Sequence, residues 1–196
     1  MTKNVAVLHN ADATTRLGFW LYLLSDVMIF GSLFATYMVL RHNTAGGPSI
    51  HDIVEPSTVL LQTIALLASS FTAAMAQLAL RFNKPKEFMQ FVLATFGFGL
   101  FFLLMEIGEF RTLIDEGHSW QASAFLSAFF ALVGTHGVHI AIGLLWLMVL
   151  VYRLRTRGVD DNFKRKFGLF ALFWHFLDIV WIWLFTIVYM FGAAGI

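Results

Sequence analysis

Seven side chains able to exchange protons or ligate metal interrupt otherwise apolar runs: Asp26, Glu106, Glu109, His136, His139, His175 and Asp178. Their spacing is helical. His136 and His139 stand at i and i+3, as do His175 and Asp178, so each pair shares one helix face. Trp174 and Trp181 flank Asp178 at i−4 and i+3, which offers it two indole N–H donors. Three chemistries suit such a set. The acids and imidazoles can hydrogen-bond to one another as internal glue, carry protons or ions, or ligate haem or a metal through His136, His139 and His175. The metal reading has the thinnest motif, because H-x-x-H lacks the glutamate and the i, i+4 spacing of the zinc-protease pattern. There is no cysteine, which excludes disulfides, thiolate catalysis, Cys-ligated zinc and iron–sulfur clusters.

The elements that position these groups follow from hydropathy. Mean hydropathy is +0.75, 59% of residues are hydrophobic and only 13% are charged, against roughly 25% charged in soluble domains. A water-soluble fold of 196 residues has too little interior to hide that surface. The expectation is an all-α, polytopic membrane helix bundle, read as one membrane domain over 1–196. Its five transmembrane helices fall at 17–40, 58–80, 88–110, 122–152 and 167–192, each near the 20 or so residues a bilayer demands. Residues 1–16 are polar and the first apolar run has full helix length, so no cleavable leader is expected. Gly46, Gly47, Pro48 and Pro56 mark the first connection as irregular.

Lysine and arginine set the orientation. With the N-terminus in the cytoplasm, the inner segments hold Lys3, Arg16, Arg81, Lys84, Lys86, Arg153, Arg155, Arg157, Lys164, Arg165 and Lys166, and the outer ones only Arg41 and Arg111. Five spans then place the C-terminus, 193–196, in the periplasm. Trp20, Trp120, Tyr152 and Tyr189 sit near span ends, as interface anchors do. The basic segment 153–166 is first a topology signal and second a surface for anionic lipid headgroups.

A charge at the bilayer centre costs about 2.5–3.5 kcal/mol on insertion scales. No Lys or Arg lies within a span, so histidine is the one cationic partner available to these acids. At 1.5 Å of rise per residue, Asp26, His136, His175 and Asp178 come to lie at a similar mid-membrane level, roughly 12–21 Å from their span starts. These four, from three helices, are expected to meet. Glu106 and Glu109 lie nearer the outer side, with Arg111 as a candidate partner for Glu109. Gly134, Gly137 and Gly143 around the histidines allow helices to approach closely.

Several stretches in order carry a resemblance: GFWLYLLSDVMIFGSLFATYMVL (18–40), NTAGGP (43–48), LLMEIGEF (103–110), AFLSAFFALVGTHGVHIAIG (124–143) and LFWHFLDIVWIWLFTIVYMFG (172–192). Together they resemble subunit III of the haem–copper terminal oxidases over about 17–192. The five-span length and the 43–48 stretch are most similar to the bacterial cytochrome o (bo-type) ubiquinol oxidase branch.

The resemblance implies a redox-inert accessory subunit in the bacterial inner membrane. It has no catalytic, cofactor-binding or metal-binding residues of its own. Haem and copper belong to the partner subunit I. Bound phospholipid is implied, as are contacts with subunit I and other oxidase subunits, with ubiquinol acting at the level of the complex. The complex oxidises ubiquinol, reduces dioxygen to water and pumps protons. Asp26 occupies a place that is usually glutamate in the mitochondrial-type branch. Glu109, His136, His139, Trp174, His175, Asp178 and Trp181 match the family's signature positions, and with Asp26 and Glu106 they are expected to form a structural intramembrane polar network. Cytochrome c oxidase subunit III is the alternative within the family. Outside it stand a proton-coupled transporter and a haem-binding membrane enzyme. Against the transporter, all three prolines lie outside the spans, and no internal repeat is visible.

Overall fold

The computed structural model describes residues 2–53 and 55–191, with the side chains of 2–12, 51 and 52 left aside; the expected outer C-terminus, residue 192 and Lys3's side chain lie outside what is described. The chain runs α1 (Thr2–Leu40), α2 (Ile50–Ile53), α3 (Pro56–Arg81), α4 (Pro85–Asp115), α5 (Ala124–Arg157), α6 (Asp161–Leu184) and a π-helical turn, Phe185–Met190. Among the described residues, five helices are long and apolar enough to cross a membrane.

Each helix starts and stops for a local reason. α3 and α4 open on Pro56 and Pro85, whose missing N–H costs nothing in a first turn. α5 and α6 open on side-chain caps, with Ser123 Oγ accepting from the Leu126 amide and Asp160 from the Phe163 amide. α4 closes on Gly117 at φ +83°, whose left-handed turn lets the His118 amide reach the Leu113 carbonyl at 2.8 Å. α1 begins well before the apolar run, because residues 2–17 contain neither glycine nor proline to break the helix.

The helices form an antiparallel bundle in which α3 packs along α4, α6 lies against both α3 and α5, and α1 leans on α5 and less on α6. Half of the α6 span is buried but only 22% of the α1 span, so α6 is the core element and α1 a flank. Lipid offers helices no hydrophobic reason to associate, so close packing and interhelical hydrogen bonds carry the cohesion. Trp174 shows how. Its fully buried ring lies against Gly99 of α4 and Gly143 of α5, where an added Cβ would approach it to 2.8 and 2.7 Å. Towards the basic end the core is aromatic, with Phe88 edge-to-face on Phe163 and Phe167, Phe163 stacked on Phe167, and Phe170 tilted on Phe167.

The last span departs from regularity. The Thr186 hydroxyl bonds to the Ile182 carbonyl at 2.8 Å, occupying an acceptor of the ladder as the helix widens into its π turn. The widening turns Val188 and Tyr189 inward, and Tyr189 is 5% exposed. Tyr189 is therefore a core residue, not the interface anchor its position near a span end suggests. Trp20, Trp120 and Tyr152 do project outward.

Candidate functional site

The intramembrane polar residues separate into three groups instead of meeting at one level. In the first, Asp26 of α1 faces His139 of α5, with Oδ1 to Nε2 at 3.8 Å. His139 Nδ1 lies 2.7 Å from the Thr135 carbonyl. A carbonyl only accepts, so Nδ1 carries a proton and the tautomer is fixed. In a neutral ring, Nε2 then presents its lone pair to Asp26.

The second group joins α6 to α3. His175 Nδ1 meets Ser70 Oγ at 2.7 Å and Asp178 Oδ2 at 3.7 Å. His175 also lines a cleft of about 930 Å³ at the basic end, with Arg16, Arg81, Lys164 and Arg165 around it. Among the described residues, no hydrogen bond or ion pair links this group to Asp26 and His139.

The third group spans α3, α4 and α5. Gln62 Nε2 donates to Glu109 Oε2 at 3.3 Å. Glu109 therefore turns into the bundle, and exposed Arg111, two positions on, points elsewhere, as i, i+2 residues do. One turn deeper, Glu106 is 3% exposed, and its carboxylate fills the space over Gly137, where a Cβ would collide with it. His136 is fully buried between the rings of Trp181 at 5.3 Å and Phe102 at 5.8 Å.

Trp174 and Trp181 do not donate to Asp178 as their spacing suggests. Trp174 Nε1 donates to Ser69 Oγ and Trp181 Nε1 to Thr63 Oγ1, both at 3.0 Å. Ser69 and Thr63 in turn donate to the Leu66 and Val59 carbonyls of their own helix. Each hydroxyl is thus doubly used, and α6 is fastened to α3 at two levels. The sequence places α3 as a span but its charge pattern gives no sign of its polar role, because no charge lies between Ser57 and Leu80. The signal was present in a seven-residue repeat, Gln62 with Ser69 and Thr63 with Ser70, which puts a polar stripe on one face.

The arrangement can fasten helices and hold protons. Among the described residues, no three His, Asp or Glu side chains converge as a metal would require. His139 Nε2 and His175 Nδ1 are taken up by Asp26 and Ser70.

The family model described as cytochrome c oxidase subunit III matches residues 4–193. The chain belongs to the cytochrome c oxidase subunit III family. The chain is 47% identical to cytochrome bo(3) ubiquinol oxidase subunit 3 of Pseudomonas putida, over 94% of this chain and 89% of that one. It is 42% identical to cytochrome c oxidase subunit 3 of Bacillus sp. strain PS3, over 91% and 86%, and 39% identical to quinol oxidase subunit 3 of Bacillus subtilis strain 168, over 92% and 88%. Membership in this subunit III family makes the chain a multi-pass component of a haem–copper oxidase and gives its polar groups an accessory, non-metal setting.

Proposed function

We propose that the chain is the redox-inert accessory subunit III of a proton-pumping terminal ubiquinol oxidase. The observation that carries the quinol branch is the 47% identity to the Pseudomonas putida ubiquinol oxidase subunit over 94% of the chain. Haem and copper reside in the partner subunit I, where ubiquinol oxidation is coupled to the reduction of dioxygen to water. This chain packs beside it as one membrane domain and contributes assembly, lipid binding and endurance.

The basic end supports a cytoplasmic N-terminus and a periplasmic C-terminus in a bacterial inner membrane. Arg81, Lys84, Lys86, Arg155, Arg157 and Lys164 flank the α3–α4 and α5–α6 connections there. The cleft rimmed by Arg16, Arg81, Lys164 and Arg165 suits a phospholipid headgroup, with Trp20, Leu169 and Leu172 towards the acyl chains. The polar network of Asp26, Glu106, Glu109, His136, His139, Trp174, His175, Asp178 and Trp181 acts structurally: hydrogen bonds join α3 to α6 and α3 to α4, Asp26 faces His139 across α1 and α5, and Glu106 and His136 fill the buried space between α4, α5 and α6.

The test is a reduced-minus-oxidised spectrum of the tagged chain purified in mild detergent, with a gel of the same eluate. Haem accompanied by larger chains, and lost when a harsher wash strips the chain free, is the expected result. A colourless chain eluting alone would favour a transporter. A haem band that stays on the stripped chain would make its histidines ligands and overturn the proposal.

A further inference from the structure

The third polar group contains more hydrogen-bonding capacity than the protein uses. Glu106 Oε2, Gln62 Oε1, Tyr189 Oη and both ring nitrogens of His136 are buried without a hydrogen-bond partner among the described residues. Gln62 and His136 are fully buried, Glu106 and Tyr189 nearly so. These atoms belong to one region. Gln62 is bonded to Glu109, Glu106 and Glu109 share one face of α4 at i and i+3, and the Trp181 ring lies 5.3 Å from His136 and 6.1 Å from Tyr189. Glu106 rests on Gly137, beside His136. The π turn is what delivers Tyr189 here.

The chemistry of the unused atoms narrows the ligand. Carboxylate and amide oxygens are acceptors, and Tyr189 with a neutral His136 supplies few donors. The region therefore needs a small molecule that donates more than once, and water donates twice. Buried waters make about three hydrogen bonds to groups otherwise left unsatisfied. A cleft of about 330 Å³ at the end opposite the basic loops is lined by Glu55, Thr58, Glu109, Thr112 and Glu116, against the ~30 Å³ a water occupies in the liquid. Glu109 is common to this cleft and to the buried group.

We propose that the Glu106, Gln62, Tyr189 and His136 region is an internal water-binding site, filled from the Glu55–Glu109–Glu116 cleft by a short file of ordered waters that ends at Glu106 and His136. The site is made wholly of this chain's helices and stands whichever electron donor the oxidase uses. Glu109, bonded to Gln62 at the inner end of the cleft, is the residue past which each water moves.

Radiolytic labelling of the intact oxidase complex in ¹⁸O-water tests this, because radicals formed from bound water mark neighbouring side chains even where bulk solvent has no access. Tyr189 should take up label several-fold faster than Phe167, which is as deeply buried but enclosed by rings. Gln62→Met should bring Tyr189 down to the Phe167 rate, whereas Glu106→Gln, which keeps the region polar, should leave it fast. If Gln62→Met blocks assembly, the wild-type and Glu106→Gln complexes decide the matter alone. Labelling of Tyr189 no faster than Phe167 in the wild-type complex, or unchanged by Gln62→Met, would overturn the proposal.

Discussion

Gly143→Ala should loosen the bundle far more than a methyl group ordinarily does in a helix. A Cβ at Gly143 would lie 2.7 Å from Trp174 Cζ3 and 2.9 Å from Cε3, against a normal carbon–carbon separation of about 3.5–4.0 Å. Relief requires a shift of roughly 0.8 Å, the shortfall from that lower bound. The indole has nowhere to go. Its far edge already faces Gly99, where a Cβ would stand 2.8 Å from Cζ2, and its nitrogen is tied to Ser69. Overpacking of this kind costs about 1–3 kcal/mol, while the gain in helix propensity from Gly to Ala is up to about 1 kcal/mol. Gly134→Ala on the same helix isolates the propensity change, because its Cβ would meet Phe110 at an ordinary 3.5 Å. The assay is retention of this chain in the purified complex as the mole fraction of a denaturing detergent rises, read by gel. Gly143→Ala should release the chain at lower detergent than Gly134→Ala, and Trp174→Leu should abolish the difference, since the two positions couple only through contact. Equal behaviour of the two alanine variants, or a difference that survives Trp174→Leu, would refute the packing argument.

The hydrogen bonds make sharper distinctions than their number suggests. Thr63→Val leaves the buried Trp181 N–H unpaired and should cost about 1–3 kcal/mol, whereas Trp181→Phe leaves Thr63 bonded to the Val59 carbonyl and loses only the net bond, about 0.5–1.5 kcal/mol beyond the change in ring size; the same detergent titration ranks them. Asp26→Asn keeps a polar side chain facing His139 Nε2 and should preserve the amount of this chain per haem, while Asp26→Leu leaves that nitrogen facing an apolar group and should lower it. Ser123→Ala removes the cap of α5 and should cost about 1 kcal/mol, visible as faster amide exchange in the first turn of α5 and not in its middle.

The helices were legible because a bilayer makes hydropathy and length nearly sufficient, and because Pro56, Pro85, Ser123, Asp160 and Gly117 mark their ends in plain residue types. The partners of the polar residues were not. Depth says nothing about rotation, and rotation sends Asp26 to His139 and His175 to Ser70. Spacing along α6 alone directs the indoles of Trp174 and Trp181 at Asp178. Uncharged hydroxyls on α3 lie across from them and receive their N–H groups. Tyr189 was misread for a similar reason, since a regular helix does not announce where it will widen.

The accessory role is tested most directly by purified oxidase carrying Asp26→Ala or His175→Ala, followed through repeated turnover with ubiquinol. The account predicts an unchanged initial rate of oxygen uptake per haem, followed by faster loss of activity and by shedding of this chain. Full retention of the chain and of haem, with electron transfer abolished from the first turnover, would contradict it.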